Sequence, residues 1–170
     1  MMKTDQIIFK ENKLELLVKR PSHFVTIFML SSATFCVIFP VIIFINLLIE
    51  SAEGFPIRLM TLVFLSIPFI FGIYLFRLFL WNFFGKEVYV FQNGKINFHT
   101  DFKYFKDSKK EIDCEDSGFG WVSSGYENEK KAVLTIKTSG KQHKSSVEIA
   151  EKDLIELTEL LNKKTDLINY

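Results

Sequence analysis

The sequence contains few cysteines and carries almost no net charge, and each of these features excludes a class of protein. Cys36 and Cys114 are the two cysteines in 170 residues, and the first lies inside a long apolar run. We therefore expect no disulfide framework, which is typical of a protein that faces a reducing compartment. The formal net charge at pH 7 is +1, so no overall basic field points to nucleic acid as a partner.

Recognisable active-site motifs are absent as well. The three histidines, His23, His99 and His143, do not have the spacing of a metal site, with or without Cys114. Residues 118–120 read Gly-Phe-Gly but lack the Lys-Ser/Thr and the helix that complete a phosphate loop. No Gly-x-Ser-x-Gly nucleophile motif occurs. We therefore predict no enzyme activity, no catalytic or metal-binding residue and no cofactor.

Two long apolar runs are the most informative feature that is present. Residues 24–49 and 59–76 contain no charged side chain, and a short polar segment, residues 50–58, separates them. A helix rises about 1.5 Å per residue, so each run can cross a hydrocarbon core of about 30 Å. Backbone groups in lipid must be satisfied within the segment, which favours helices. The sequence predicts a transmembrane hairpin over residues 23–84, with spans at about 24–49 and 59–84.

Basic residues flank this hairpin at the ends that it brings together. The segment before the first run is rich in Lys and Arg, and Lys86 follows the second run, whereas the connecting segment has one Arg. Lys and Arg beside membrane spans favour the cytoplasmic side. We therefore expect a bacterial inner-membrane protein with both termini in the cytoplasm. The residues expected to face lipid or lie at the interface are Lys19, Arg20, Arg77, Trp81 and Lys86.

The residues before the first span have a strand-like pattern. Residues 6–19 contain two apolar stretches around a polar Lys-Glu-Asn-Lys segment, with β-branched or aromatic side chains in each. A short amphipathic helix lying on the membrane is the alternative. We favour a β-hairpin within residues 1–22 that joins the soluble domain.

From residue 85 onward the apolar residues tend to recur at every second position, which is the period of a β-strand. Asn93-Gly94 lies between two alternating stretches and is a strong hairpin signal. A second turn is expected at Asp107-Ser108-Lys109, and further short strands follow. Such spacing is typical of an antiparallel sandwich or a partly closed barrel. Apolar residues then recur at helical spacing, which predicts a C-terminal amphipathic helix over about 151–163 with a stripe of Leu154, Leu157, Leu160 and Leu161.

A basic patch is expected near the second turn of this region. Its members are Lys103, Lys106, Lys109 and Lys110. Such a patch can meet anionic lipid headgroups at about 1 kcal/mol per basic residue. Acidic residues at 101, 107 and 111 interrupt it, so an ordinary solvated surface is the alternative.

The chain resembles a group of small bacterial membrane proteins. The likeness begins at Leu80-Trp81-Asn82-Phe83-Phe84-Gly85-Lys86-Glu87, continues through Asn93-Gly94 to the Leu-rich helix, and includes residues 14–21. In that group a two-helix hairpin is combined with a pleckstrin-homology-like (PH-like) β domain. The resemblance implies an α+β membrane protein whose antiparallel PH-like domain, residues 85–170, is cytoplasmic and capped by a C-terminal helix. It carries over no catalytic residue.

These expectations favour a binding role. We expect a membrane-anchored binding or scaffold module that presents its PH-like domain to a protein partner or to lipid headgroups. The expected partners are the bilayer and a protein or a second copy of the chain, with no nucleic acid. The alternative is a small accessory or pore-forming subunit of a transport system. The few polar side chains of the runs favour an anchor, because conduction normally needs polar groups along a wet path.

Overall fold

The computed structural model describes residues 2–52, 59–92, 94–113, 117–124, 129–138 and 140–168. The chain divides into two compact units. The β unit combines Met1–Lys19 with Phe84–Tyr170, and the helical unit is Arg20–Phe83. The helical unit is thus an insertion between two parts of the β unit.

Within the described residues the chain forms nine strands and three helices. In chain order they are β1 Met2–Lys3, β2 Ile7–Lys10, β3 Lys13–Leu17, α1 His23–Ala52, α2 Leu59–Phe84, β4 Lys86–Gln92, β5 Lys95–Asp101, β6 Lys106–Asp113, β7 Gly118–Ser124, β8 Lys131–Thr138, β9 Lys141–Ala150 and α3 Glu151–Ile168. The predicted α+β class, with antiparallel sheets and a C-terminal helix, is confirmed.

The helical unit consists of two helices that are long and apolar enough, by length and composition, to cross a membrane. Pro40 and Pro68 lie inside α1 and α2. The first helix extends to Ala52, so Glu50 and Ser51 belong to it rather than to the connecting segment predicted from the sequence. Residues 53–58 of that segment lie outside the described residues.

The two long helices approach each other through small side chains. Gly72 of α2 is buried, and a Cβ atom added there would lie 2.8 Å from Val37 Cγ2 and 3.0 Å from the Cys36 carbonyl carbon. Ala33 and Pro40 of α1 are also buried, and they lie about one turn before and one turn after Cys36 and Val37. Backbones that pack this closely require residues without bulky side chains, as in helix pairs within membranes.

The β unit contains a six-stranded and a three-stranded antiparallel sheet. The first has the order β1-β2-β3-β4-β5-β6, and the second has the order β7-β8-β9. Strand β3 pairs with β4 from Lys13 opposite Val90 to Leu17 opposite Lys86, although the helical insertion separates them in the sequence. The N-terminal strands are therefore an integral part of the larger sheet.

The inner faces of the two sheets and helix α3 enclose the core. Phe91 of β4 lies against Phe119 of β7 with ring centroids 6.0 Å apart. Leu154, Leu157 and Leu161 of α3 are buried. The helix reaches Ile168, further than the sequence predicted, and Leu160 is exposed. Leu160 is therefore not part of the buried stripe, because it lies off the helix face that contacts the second sheet.

The turn predicted at Asp107-Ser108-Lys109 is wrong, because these residues belong to strand β6. The chain reverses earlier, where the Phe102 N–H donates to the Phe105 carbonyl at 3.0 Å. Ser108 has a positive φ of 54°, a backbone conformation that also occurs in turns. It lies in a β-bulge, which is a local irregularity of pairing and not a reversal of the chain.

Candidate functional site

The residues predicted to flank the membrane have different surroundings. Arg20, just before α1, has its guanidinium carbon 5.3 Å from the centroid of the Phe83 ring. Arg77 is exposed and Trp81 half-buried on α2. Lys19 is exposed in the segment that precedes α1. Arg20 therefore joins the two ends of the helical unit through a cation–π contact.

Lys86 has a role inside the β unit. Its ammonium group lies 3.3 Å from Glu15 Oε2 and 3.8 Å from Asp101 Oδ2. Burial acts to raise the pKa of Glu15, but Lys13 and Lys86 together hold that pKa below its usual range. Lys86 thus bridges strands β3, β4 and β5 on one face of the larger sheet.

The predicted basic patch is divided by the structure. Lys103 lies apart in the β5–β6 turn, with its ammonium group 4.5 Å from the Phe84 ring centroid and 5.6 Å from that of Tyr104. Its backbone N–H donates to Asp101 Oδ1 at 2.8 Å. Lys103 therefore makes cation–π contacts, whereas the other three lysines lie around a pocket.

A groove forms where strands β5 and β6 lose their regular pairing. Phe98 faces Lys110 and Thr100 faces Asp107, so Ser108 and Lys109 together oppose the single residue His99. Bulges of this kind redirect side chains and are frequent at functional sites. The resulting pocket of about 430 Å³ is lined by Asn97, Phe98, His99, Lys106, Lys109, Lys110 and Glu111, and we call it the β5–β6 groove.

The imidazole of His99 reports the electrostatic character of this groove. Burial lowers the pKa of His99, and the positive charges of Lys106, Lys13 and Lys109 lower it further. The Asp101 carboxylate acts in the opposite direction without restoring the usual value. Cations therefore dominate the field at His99.

A second cluster of polar groups lies between the two sheets. Glu87 of β4 is fully buried, and its Oε2 accepts hydrogen bonds from the Tyr89 hydroxyl at 2.8 Å and the Ser145 hydroxyl at 2.6 Å. Its Oε1 accepts the Ser146 N–H at 2.7 Å. The carboxylate thus joins strand β4 of the larger sheet to strand β9 of the smaller one.

The Glu87 cluster also depends on a bulge. Val133 faces Glu148 and Thr135 faces Lys144, so the three residues 145–147 oppose Leu134 alone. The Gln6 side chain donates to the Glu148 carbonyl at 3.0 Å, further along the same strand. Side chains therefore supply the partners that a neighbouring strand would give to this part of β9.

The aromatic neighbours of Glu87 define its surroundings. Burial raises the pKa of Tyr89 well above its usual range, and the Glu87 charge raises it further. His143 lies beside Phe98 and Tyr89, with ring centroids 4.5 and 6.1 Å away. Burial lowers the pKa of His143; the Glu87 charge opposes this effect, and the positive charge of Lys110 acts in the same direction as burial. With three donors on its two oxygens, Glu87 acts as a cross-link between the sheets.

The side chains considered for metal binding are separated by the fold. His143 lies beside Phe98, whereas His99 is the next residue along β5 and points to the opposite face. Cys114 lies outside the described residues. Among the residues that the structure describes, no three His, Cys, Asp or Glu side chains form a group that could hold a metal ion.

Sequence reasoning missed the Glu87 cluster. A usable signal exists, since Glu87 has the same strand phase as Tyr89 and Phe91, which both point into the core. An acidic side chain at an inward position requires buried partners. Its partners Ser145 and Ser146 had no such signal, because they follow β4 by more than fifty residues.

The chain was compared with protein-family models, curated proteins and solved structures, and none of the three comparisons found a match. The contacts and charges within each unit are therefore the basis for a proposed function. The most informative of these are the apolar helices, the β5–β6 groove and the Glu87 cluster.

Proposed function

We propose that the protein is a membrane-anchored binding module. The helical unit crosses a bilayer twice, and a PH-like β unit presents a surface to a protein partner or to lipid headgroups. The observation that carries the proposal is the exposure of large apolar side chains on both long helices, with Phe24 78% and Leu59 77% exposed. Contiguous apolar surface of this extent is unstable in water and is favourable in lipid.

The polar side chains of the helices favour an anchor over a transport subunit. The Ser31 hydroxyl donates to the Phe28 carbonyl at 3.1 Å, and the Ser66 hydroxyl donates to the Val63 carbonyl at 2.7 Å. The Thr26 hydroxyl does the same with the Ser22 carbonyl at 3.0 Å. Hydroxyls satisfied by their own helix need no water-filled path beside them.

The β unit supports the binding role because it has a hydrophobic core of its own. Leu14, Leu16 and Tyr89 are fully buried in a core shared by both parts of the unit. The antiparallel sheets and the closing helix α3 are consistent with a PH-like domain. Sheets closed in this way leave their outer face and loops free for recognition.

The proposed location is the bacterial inner membrane, with the β unit in the cytoplasm. Its basis is the bias of Lys and Arg toward the two ends of the hairpin. Single cysteines at Ser51→Cys and Ser123→Cys test it in a chain with Cys36 and Cys114 replaced by Ala. An impermeant thiol reagent should label position 51 on intact spheroplasts and position 123 after lysis.

Two results would contradict the proposal. Extraction of the protein from membranes by alkaline carbonate would exclude integral anchoring, and the reverse labelling pattern would exclude the orientation. Cross-linking in native membranes through position 123, followed by identification of what is captured, then tests the binding role. A second cross-linker is placed on the face of the β5–β6 groove. If neither position captures a protein or a lipid, the result counts against the binding role.

A further inference from the structure

The β5–β6 groove contains more positive charge than its own acidic residues can neutralise. The Glu111 carboxylate lines it, yet its Oε1 is held 3.1 Å from the ammonium group of Lys95. The nearby Asp101 carboxylate lies 3.8 Å from Lys86. The carboxylate that lines the groove and the one nearby are therefore each close to a lysine from outside its lining.

The three lysines of the groove have no such partner. Among the described residues, no carboxylate forms an ion pair with Lys106, Lys109 or Lys110. Like charges on one short strand repel one another, and the bulge at Ser108 keeps them together around the same pocket. The arrangement is favourable when a bound anion supplies the missing negative charge.

The lining also provides neutral donors. The Asn97 amide and the His99 imidazole belong to the same pocket as the lysines. Lysine ammonium groups bind phosphate as point charges, and a phosphate monoester offers three terminal oxygens and up to two negative charges. A carboxylate has fewer oxygens and one charge, so it matches this donor set less well.

We infer that the β5–β6 groove is a binding site for a phosphate monoester group, held by Lys106, Lys109 and Lys110 with Asn97 and His99. The inference rests on the proposed binding role and specifies the ligand chemistry of that role. The same phosphate chemistry occurs in a lipid headgroup such as that of phosphatidic acid and in a soluble phosphate compound. The pocket of about 430 Å³ has room for the phosphate group of either one.

His99 provides a built-in reporter for the test. A bound anion opposes the lysine charges that lower the pKa of His99, so binding should move that pKa upward. The full-length protein, carrying isotope-labelled histidine, is titrated with inorganic phosphate in uncharged detergent at constant ionic strength. The His99 resonance, assigned with His99→Gln, should shift saturably, while the resonance of His23, at the start of α1, serves as the internal reference.

Matched lysine variants separate a site from general attraction. The triple variant Lys106→Gln, Lys109→Gln, Lys110→Gln should weaken phosphate binding by roughly tenfold or more. The control triple variant Lys137→Gln, Lys141→Gln, Lys144→Gln removes the same charge from exposed positions of β8 and β9 and should keep the affinity. The inference would be overturned if neither inorganic phosphate nor phosphatidic acid shifted the His99 resonance saturably, or if both triple variants weakened binding equally.

A lipid arm identifies the source of the phosphate group. The protein is placed in nanodiscs of phosphatidylcholine alone or with added phosphatidic acid. A His99 shift with phosphatidic acid alone assigns the groove to lipid headgroups, and one with inorganic phosphate alone assigns it to a soluble ligand. Failure to enter nanodiscs would contradict the membrane anchor, whereas the detergent titration would still test the groove.

Discussion

The two units of this protein use similar apolar side chains in opposite ways. In the β unit, Leu14, Leu16 and Ile96 have no exposed surface. In the helical unit, leucine, isoleucine and phenylalanine side chains cover the outside, and the buried residues include Ala33, Pro40 and Gly72. The same residue types therefore point inward in one unit and outward in the other.

This difference shows which medium each unit is built for. Burial of apolar surface drives folding in water, at about 25 cal/mol per Å², and the β unit follows that rule. Between helices in lipid there is no such drive, so close packing of small side chains takes its place. The helical unit has the second pattern, which supports the proposed membrane anchor.

The largest expected effect comes from separating the units. Residues 2–19 joined to residues 84–168 by a short flexible linker should fold in water, because the core of the β unit is internal. Residues 84–168 alone should not give a cooperative unfolding transition, since strand β4 loses β3 as its neighbour. Urea unfolding followed by Trp121 fluorescence measures both. A cooperative transition of equal midpoint in the two pieces would contradict the assigned role of the N-terminal strands.

Removing the buried carboxylate should weaken the β unit strongly. Glu87→Ala leaves the Tyr89 and Ser145 hydroxyls and the Ser146 N–H without their acceptor, which should lower the free energy of unfolding by about 2–4 kcal/mol. The control Glu111→Ala removes an exposed ion pair and should cost less than about 1 kcal/mol. Denaturant titration of the full-length chain in detergent, in a Trp81→Phe background, compares them. Equal losses would show that Glu87 is not a cross-link.

A change at the helix contact should affect the helical unit alone. Gly72→Val places side-chain atoms against Val37 and the Cys36 backbone, and should cost about 1–3 kcal/mol. The neighbouring Phe71→Val lies on an exposed face and serves as the control. Thermal unfolding in detergent, followed by helix circular dichroism, gives both values. If Gly72→Val is as stable as Phe71→Val, then the close approach of the helices is not required.

Acid should produce the smallest effect, and it should arise in the β unit. The pKa values of His99 and His143 are lowered in the fold, so below about pH 6.5 the unfolded chain binds protons more readily than the folded one. The free energy of unfolding should therefore fall as the pH decreases from 6.5 toward the folded-state pKa values. A further loss begins below pH 4.5, where the lowered pKa of Glu15 has the same sign. The midpoint of unfolding, followed by Trp121 fluorescence between pH 8 and 4, measures both steps. The first step should be absent from the double variant His99→Gln, His143→Gln. If the first step persists in that double variant, then the loss of stability above pH 4.5 comes from other groups.

Much of the local structure could be predicted because its signals are local. The uncharged runs predicted both long helices, and the leucine spacing predicted α3 from its beginning at Glu151. The alternation of residues 96–100 predicted strand β5. The turn at Ser108 was mispredicted, because a bulge and a reversal use the same turn-forming residues and differ only in strand pairing.

The candidate site could be predicted in part. Lys106, Lys109 and Lys110 were singled out as a patch, but Lys103 was placed with them and lies instead over aromatic rings. Neither His99 nor Asn97 was assigned to the patch. Their place in the groove depends on which residues of β5 and β6 face each other.

The sequence by itself determined what depends on side chains a few residues apart: two apolar helices, a set of alternating strands and an amphipathic C-terminal helix. Tertiary structure alone decided the pairing of β3 with β4, the two bulges, the partners of Glu87 and the grouping of lysines around His99. The physical reason is register. A shift of one residue between strands moves every side chain to the opposite face, and that register is set by contacts across the whole β unit.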